Sequence, residues 1–231
     1  MITITFISTG ITSFLFFLTA AGVYAAWRKQ KASSVYYFLI FLISFGFQQL
    51  FFSLGTGPAA KNPLLSNLFW AAAHIFMFLG ISYFLRFPVS IRFPRLEKIV
   101  FRLTILYSVI GMPILFFSIP QVEPFLLESG VYNWKVPALA GVTIGIFTTV
   151  CLLFAFGIFV SGAIRVKEGI LRVRSIFLAL GVLIFLIGGP MHNFVSTPML
   201  NFMADASLIV GSMFLLLGIF APKFFDHQRQ I

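Results

Sequence analysis

An all-α membrane bundle of seven spanning helices is the fold this sequence predicts, and three observations predict it. Apolar residues fill 60% of the 231 positions and charged residues only 10%, against about 45–50% and about 25% in soluble domains. The mean hydropathy of +1.03 leaves too little polar surface to cover a water-soluble globule of this size. Apolar runs of about 20 residues, the length that crosses a bilayer, recur seven times. This composition excludes an ordinary soluble enzyme and a disordered tail. The single cysteine, Cys151, excludes a disulfide-stapled secreted module.

The first run is Ile4 to Trp27. It lacks a basic n-region, and Arg28, Lys29 and Lys31 follow it at once, so it reads as a retained helix and not a cleaved signal peptide. The second is Val35 to Leu54 and the third Leu64 to Leu85. A loop from Phe87 to Lys98 follows, marked by Pro88 and Pro94, and is expected to lie along anionic headgroups. The fourth run is Phe101 to Ile119. Next comes the longest loop, Gln121 to Pro137, with a turn at Ser129-Gly130. Its Tyr132 and Trp134 read first as interface anchors, with a lid as the alternative. The fifth run is Val136 to Val160, the sixth Val173 to Val195 and the seventh Leu200 to Phe220. The whole chain, 1–231, therefore reads as one transmembrane domain with no soluble domain.

The net charge is +10, but the basic residues sit in short clumps between apolar runs, so nucleic acid is not an expected partner. Fourteen of the sixteen Lys and Arg fall on one side of the seven-span layout, and only Lys61 and Lys135 fall on the other. By the positive-inside rule this puts the N-terminus outside and the C-terminus in the cytoplasm of a plasma membrane. Spans one to three and five to seven then share an orientation, and a 3+1+3 architecture is permitted.

Polar side chains inside the spans are costly, so each is a functional candidate. The candidates are Gln48 and Gln49 in the second span, Asn67 and His74 in the third, His192 and Asn193 in the sixth, and Asp205 in the seventh. All fall in the outer half, while the inner half is nearly pure Phe, Leu, Ile and Val. Asn67 and His74 are seven residues apart and share a helical face, as do Asp205 and Ser212. Ser44 pairs with Gln48 in the same way, and Thr5, Ser8 and Thr12 mark a hydroxyl stripe on the first span. In lipid such seams turn inward, which predicts an outward-facing polar pocket. The bland alternatives are hydroxyls bonded back to carbonyls and glutamines acting as interhelical glue. The segment Gly188-Gly189-Pro190-Met191-His192-Asn193 is the most site-like in the chain, because Pro190 frees carbonyls that need partners.

Several chemistries lack their motifs. Gly55-Thr56-Gly57-Pro58 has no phosphate-loop Lys, and no nucleophile elbow or HExxH pair occurs. The layout of seven spans with an outside N-terminus resembles that of opsins and receptors. A retinal Schiff base would need a Lys in Leu200 to Phe220, which has none. Length and orientation also resemble the sugar-transporting SWEET family, whose helix prolines are missing from the first and fifth spans. The progestin-receptor-like hydrolases share the span number, yet their three-His zinc site has here only His74 and His192 within spans.

The function expected is a multi-pass membrane protein whose pocket, formed by Gln48, Asn67, His74, His192, Asn193 and Asp205, serves a receptor-like sensor or binding module for a small ligand or ion. A small-solute transporter is the alternative. The third class is an intramembrane metal or haem protein using His74, His192 and Asp205. An enzyme is not the leading reading, and no cofactor is expected, with haem and zinc left open. The expected partners are the lipid bilayer, the small ligand or ion, and a cytoplasmic protein at the basic inner loops.

Overall fold

A computed structural model describes residues 2–191 and 197–226. Among them are seven helices long and apolar enough to cross a membrane. They are α1 (Ile4–Gln30), α2 (Ser33–Thr56), α3 (Pro63–Arg92), α4 (Glu97–Ser118), α5 (Ala138–Arg165), α6 (Gly169–Met191) and α7 (Pro198–Asp226). A short antiparallel hairpin, β1 (Glu123–Leu126) and β2 (Tyr132–Lys135), occupies the long loop between α4 and α5. We call the end of the bundle that carries it the hairpin end, and the opposite end the basic end.

Local chemistry sets the helix boundaries. Thr3 caps α1, its Oγ1 accepting from the Phe6 N–H at 2.9 Å, and Lys31 ends the helix in the left-handed region at φ 53°. Asn62 caps α3, accepting from the Leu65 N–H at 3.1 Å, with Pro63 in the first turn, where its missing N–H is not needed.

Helix α1 packs on α2, α2 on α3, α3 on α4 and α5, α5 on α6 and α6 on α7, while α7 returns to α1. Six helices thus close a ring, and α4 lies outside it against α3 and α5. Buried phenylalanines fill the interior toward the basic end. The Phe41 ring lies 4.6 Å from Phe45, 4.8 Å from Phe84 and 5.9 Å from Phe185. Phe87 lies 6.1 Å from Phe38 and 6.0 Å from Phe159. In lipid such packing, and not exclusion of water, holds helices together. Glycines permit the closest approaches. A Cβ at Gly181 would stand 2.8 Å from the Gly211 carbonyl oxygen, so only a glycine lets α6 and α7 meet at that point.

One expectation is corrected. The third helix does not stop near Leu85 but continues through Pro88 to Arg92, and the loop expected over 87–98 shrinks to a few residues. Phe87 and Val89 are both buried, and that packing offsets the bond Pro88 cannot make. The long loop forms the hairpin, turning as expected at Gly130 with φ +83°, a value glycine adopts without a Cβ penalty. The sixth helix runs through Gly188, Gly189 and Pro190 to Met191. His192, Asn193 and the end of the expected sixth span lie outside the described residues.

Candidate functional site

Contacts between helices fix their registers and show which polar side chains share a depth. Ser13 Oγ donates to the Gly46 carbonyl at 2.9 Å, aligning α1 with α2. Gly80 lies against Phe45 and Ser44, and His74 lies 5.5 Å from Phe52, aligning α3 with α2. Phe78 meets Phe147 at 4.9 Å, which adds α5. Phe45 meets Phe185 at 5.9 Å, and Gly188 lies against Ser207, which carries the register through α6 to α7. At about 1.5 Å per residue, Thr9, Thr12, Gln48, Gln49, His74, Thr143 and Asp205 then fall within about one helical turn of one level. All seven are buried, from 0% exposure at Thr12 to 8% at Gln48. They form a polar layer across five helices, and other buried hydroxyls, Ser13, Ser44, Ser53, Ser82 and Ser212 among them, also lie in the interior.

The hydroxyls in this layer donate to their own helices. Thr9 donates to the Thr5 carbonyl at 2.6 Å, Thr12 to Ser8 at 2.9 Å and Thr143 to Leu139 at 2.8 Å. The His74 ring binds the Trp70 carbonyl through Nδ1 at 2.8 Å. A carbonyl only accepts, so Nδ1 carries the proton, and in the neutral ring Nε2 is left as an acceptor. The amide oxygens of Gln48 and Gln49 are buried with no hydrogen-bond partner among the described residues. Asp205, 2% exposed, adds the one carboxylate of the layer among the described residues.

Asn67 lies above the layer. It shares the His74 face but sits about two turns nearer the hairpin end. Its Nδ2 donates to the Ile119 carbonyl at 3.1 Å and the Val122 carbonyl at 2.7 Å, pinning the segment between α4 and β1.

The hairpin closes the layer from above. Tyr132 and Trp134, expected as interface anchors, instead turn into the bundle, and Tyr132 is buried. The backbone of Tyr132 exchanges two bonds with Thr5: its N–H donates to Thr5 Oγ1 at 2.9 Å, and Thr5 Oγ1 donates to its carbonyl at 3.1 Å. Its hydroxyl shares a 3.0 Å bond with Ser66 Oγ, which also accepts from the Trp134 indole N–H at 3.2 Å. The Ile4 N–H donates to the Gly130 carbonyl at 3.0 Å, and Val131 packs with Ala204 of α7. One hairpin therefore touches α1, α3 and α7. It also reaches α2, since Trp134 lies 5.7 Å from Phe52, the ring that rests on His74. Burial of the Tyr132 hydroxyl raises its pKa above the ordinary 10.0, against a smaller lowering by the Ser66 bond.

Sequence reasoning singled out Gln48, Gln49, His74 and Asp205 as candidates, and these four fall at one level of the bundle. It missed Thr9 and Thr143, because a helical Thr that bonds its own backbone looks the same in sequence wherever it lies. It expected a pocket open to the outside, whereas these side chains are buried beneath the hairpin. Two open, apolar surface grooves lie beside α1, one against α7 at Gly22 and Leu216, the other against α2 at Gly10 and Ser53. Comparison with known protein families and with characterised proteins finds no match, so function must be argued from these side chains.

Proposed function

We propose that the protein is a receptor-like sensor or binding module of the plasma membrane, with its N-terminus outside and its C-terminus in the cytoplasm, and that the buried polar layer binds a small ligand or ion. The observation that carries this reading is the polar layer itself, lying under a hairpin tied to it through Trp134, Phe52 and His74. Buried amide oxygens with no partner among the described residues are expensive, and a guest would satisfy them. Movement of the hairpin would open the layer to the outside, and its contacts with four helices would carry occupancy into the bundle.

The charge bias supports the orientation. The packing of α1 to α3 and of α5 to α7 in chain order, with α4 outside the ring, supports a 3+1+3 plan. A transporter needs a path through the basic half, and the Phe41, Phe84, Phe87 and Phe159 packing disfavours one. In the sensor reading the exposed basic ends of α3 and α4 meet anionic lipid and a cytoplasmic partner. His192 and Asn193 belong to the proposed site by their place in the sequence, after α6, and Asn67 holds its rim.

Two measurements test this. A reporter fused after Ile231 is expected to be active in the cytoplasm, and an active outside reporter there overturns the topology. In a Cys151→Ala background, a cysteine at position 205 is expected to react with an impermeant thiol reagent from outside, while one at Phe214 does not. Resistance at position 205, with Asp205→Asn altering only stability, overturns the binding role.

A further inference from the structure

We propose that the groove between α1 and α7 binds one anionic phospholipid, with an acyl chain along the groove and the headgroup phosphate on Arg28 and Lys29 at the basic end. The groove is lined by Thr19, Gly22 and Val23 of α1 and by Leu216, Leu217 and Phe220 of α7. It opens sideways to lipid: Leu217 is 42% exposed, and a Cβ at Gly22 would meet no atom of the described residues within 4 Å. Buried Val23 closes its floor. Both helices start at the hairpin, α1 through Ile4 and α7 through Ala204, so both walls lead toward the basic end. On α1, Ala26 and Lys29 follow Gly22 by four and seven residues and share its helical face. Lys29 stands about 10 Å beyond Gly22. Thr12 of the polar layer lies about 15 Å from Gly22 in the other direction, so the two sites are separate.

Aromatic rings mark the level of the headgroups. Trp27 lies 5.9 Å from Tyr24 and 5.5 Å from Tyr36, and both tyrosines are exposed, as in the aromatic belt of a membrane interface. The groove falls just inside this belt, and Arg28, Lys29 and Lys31 fall just beyond it, all exposed. Lys31 is engaged with the Trp27 ring, its Nζ 4.4 Å from the centroid. Arg28 and Lys29 have no carboxylate partner among the described residues, whose ion pairs are Arg86–Glu97 and Lys135–Glu123. Nor do α1, α2 and α3 contain any Asp or Glu. Two uncompensated cations therefore stand at the mouth of an open apolar groove. A zwitterionic headgroup brings its own cation to the phosphate, so an anionic one gains more from this pair. A second copy of the chain, docked by the same face, would set like charges against one another. Charge complementarity thus selects an anionic diacyl lipid.

The test uses the full chain in detergent micelles holding equimolar phosphatidylglycerol and phosphatidylcholine with identical acyl chains, and native mass spectrometry counts the lipids retained. One phosphatidylglycerol is expected to stay bound, preferred over phosphatidylcholine about fivefold for each cation engaged. Lys29→Gln is expected to lower that preference about fivefold. Arg95→Gln, which removes an exposed cation between α3 and α4, should leave it unchanged. Gly22→Leu places its side chain in open space, so it should fold, fill the groove and lose the bound lipid. Glycerol phosphate, a headgroup without chains, is expected not to compete. Equal retention of the two lipids by the parent protein overturns the site, whether or not any variant folds. Equal losses in Lys29→Gln and Arg95→Gln reduce the preference to the general charge of the basic end and also overturn it, as does a Gly22→Leu protein that keeps its lipid. Displacement by glycerol phosphate would leave a phosphate site without a lipid, and a dimer mass that vanishes in Gly22→Leu would give the groove to a second copy. Either result overturns the proposal.

Discussion

Ser66 of α3 accepts the Trp134 indole N–H at 3.2 Å and shares a 3.0 Å bond with the Tyr132 hydroxyl, so one fully buried hydroxyl holds both aromatic residues of the hairpin. Ser66→Ala removes that anchor and strands two polar groups at a buried surface. The expected cost is about 1–3 kcal/mol. Because the lost bonds belong to the hairpin, protease cleavage in the 123–135 loop should accelerate more than global unfolding does. Equal acceleration of the two would assign Ser66 to the bundle core and not to hairpin docking.

The same contact carries a pH dependence. Burial raises the Tyr132 pKa above its unfolded value near 10.0, so the folded hairpin binds the phenolic proton more tightly than the unfolded chain. The resulting stability is fully present below pH 10 and is lost as pH rises through the folded pKa. Hairpin protection should therefore hold through neutral and mildly alkaline solution and decline only above pH 10. Tyr132→Phe should abolish the alkaline decline at a lower starting stability. Its absence from the parent protein would place Tyr132 in water.

Seven apolar runs were legible because a bilayer imposes length and apolarity on every span, and each run matches a helix core. Their ends were less legible. The third helix overruns Leu85 by a full seven residues to Arg92, since Pro88 reads locally as a breaker and only tertiary burial of Phe87 and Val89 keeps the helix going. The hairpin turn at Ser129-Gly130 was visible, but the inward path of Tyr132 was not, because an amphipathic ring fits an interface and a buried socket equally well. At the candidate site, Gln48, Gln49, His74 and Asp205 stood out by their cost in lipid. That Asn67 lies about two turns from the others depends on registers between helices that no single helix encodes.

Two glycines should respond in opposite ways to the same substitution. At Gly181 a Cβ would stand 2.8 Å from both the Gly211 carbonyl oxygen and the Leu215 side chain, and the backbone of α7 cannot step aside cheaply. Gly181→Ala is expected to cost about 1–3 kcal/mol through forced separation of α6 and α7. At Gly145 a new methyl group would meet no neighbouring atom of the described residues within 4 Å, and the helix there gains the backbone restriction alanine brings. Gly145→Ala should be neutral or stabilising by up to about 1 kcal/mol. Thermal unfolding of both variants checks the contrast, and equal effects would refute the close α6–α7 approach.

The last prediction concerns the basic end, where Glu97 binds two partners at once. Its Oε1 accepts from Arg86 Nε of α3 and, at 3.2 Å, from the Tyr37 hydroxyl of α2. The Arg86 guanidinium lies between the Tyr37 and Phe101 rings, 4.2 and 4.4 Å from their centroids. Both charged side chains are mostly buried, at 19% and 14% exposure, so the pair is not a solvated surface bridge. Glu97 also stands in the first turn of α4, where a negative charge meets the positive helix end. Glu97→Ala removes the acceptor and the charge together and leaves Arg86 facing two rings without its carboxylate, at an expected cost of about 2–3 kcal/mol. Glu97→Gln keeps an oxygen for Arg86 and Tyr37 and should retain about half of that. The Lys135–Glu123 pair supplies the comparison, since its side chains are 74% and 70% exposed at 3.1 Å, and Glu123→Ala should change nothing measurable. Unfolding midpoints for the three variants, repeated at high salt, decide the matter. The Glu97 effects should persist in salt because a buried pair is poorly screened; a Glu97→Ala loss that vanishes at high salt would make the clamp an ordinary surface pair.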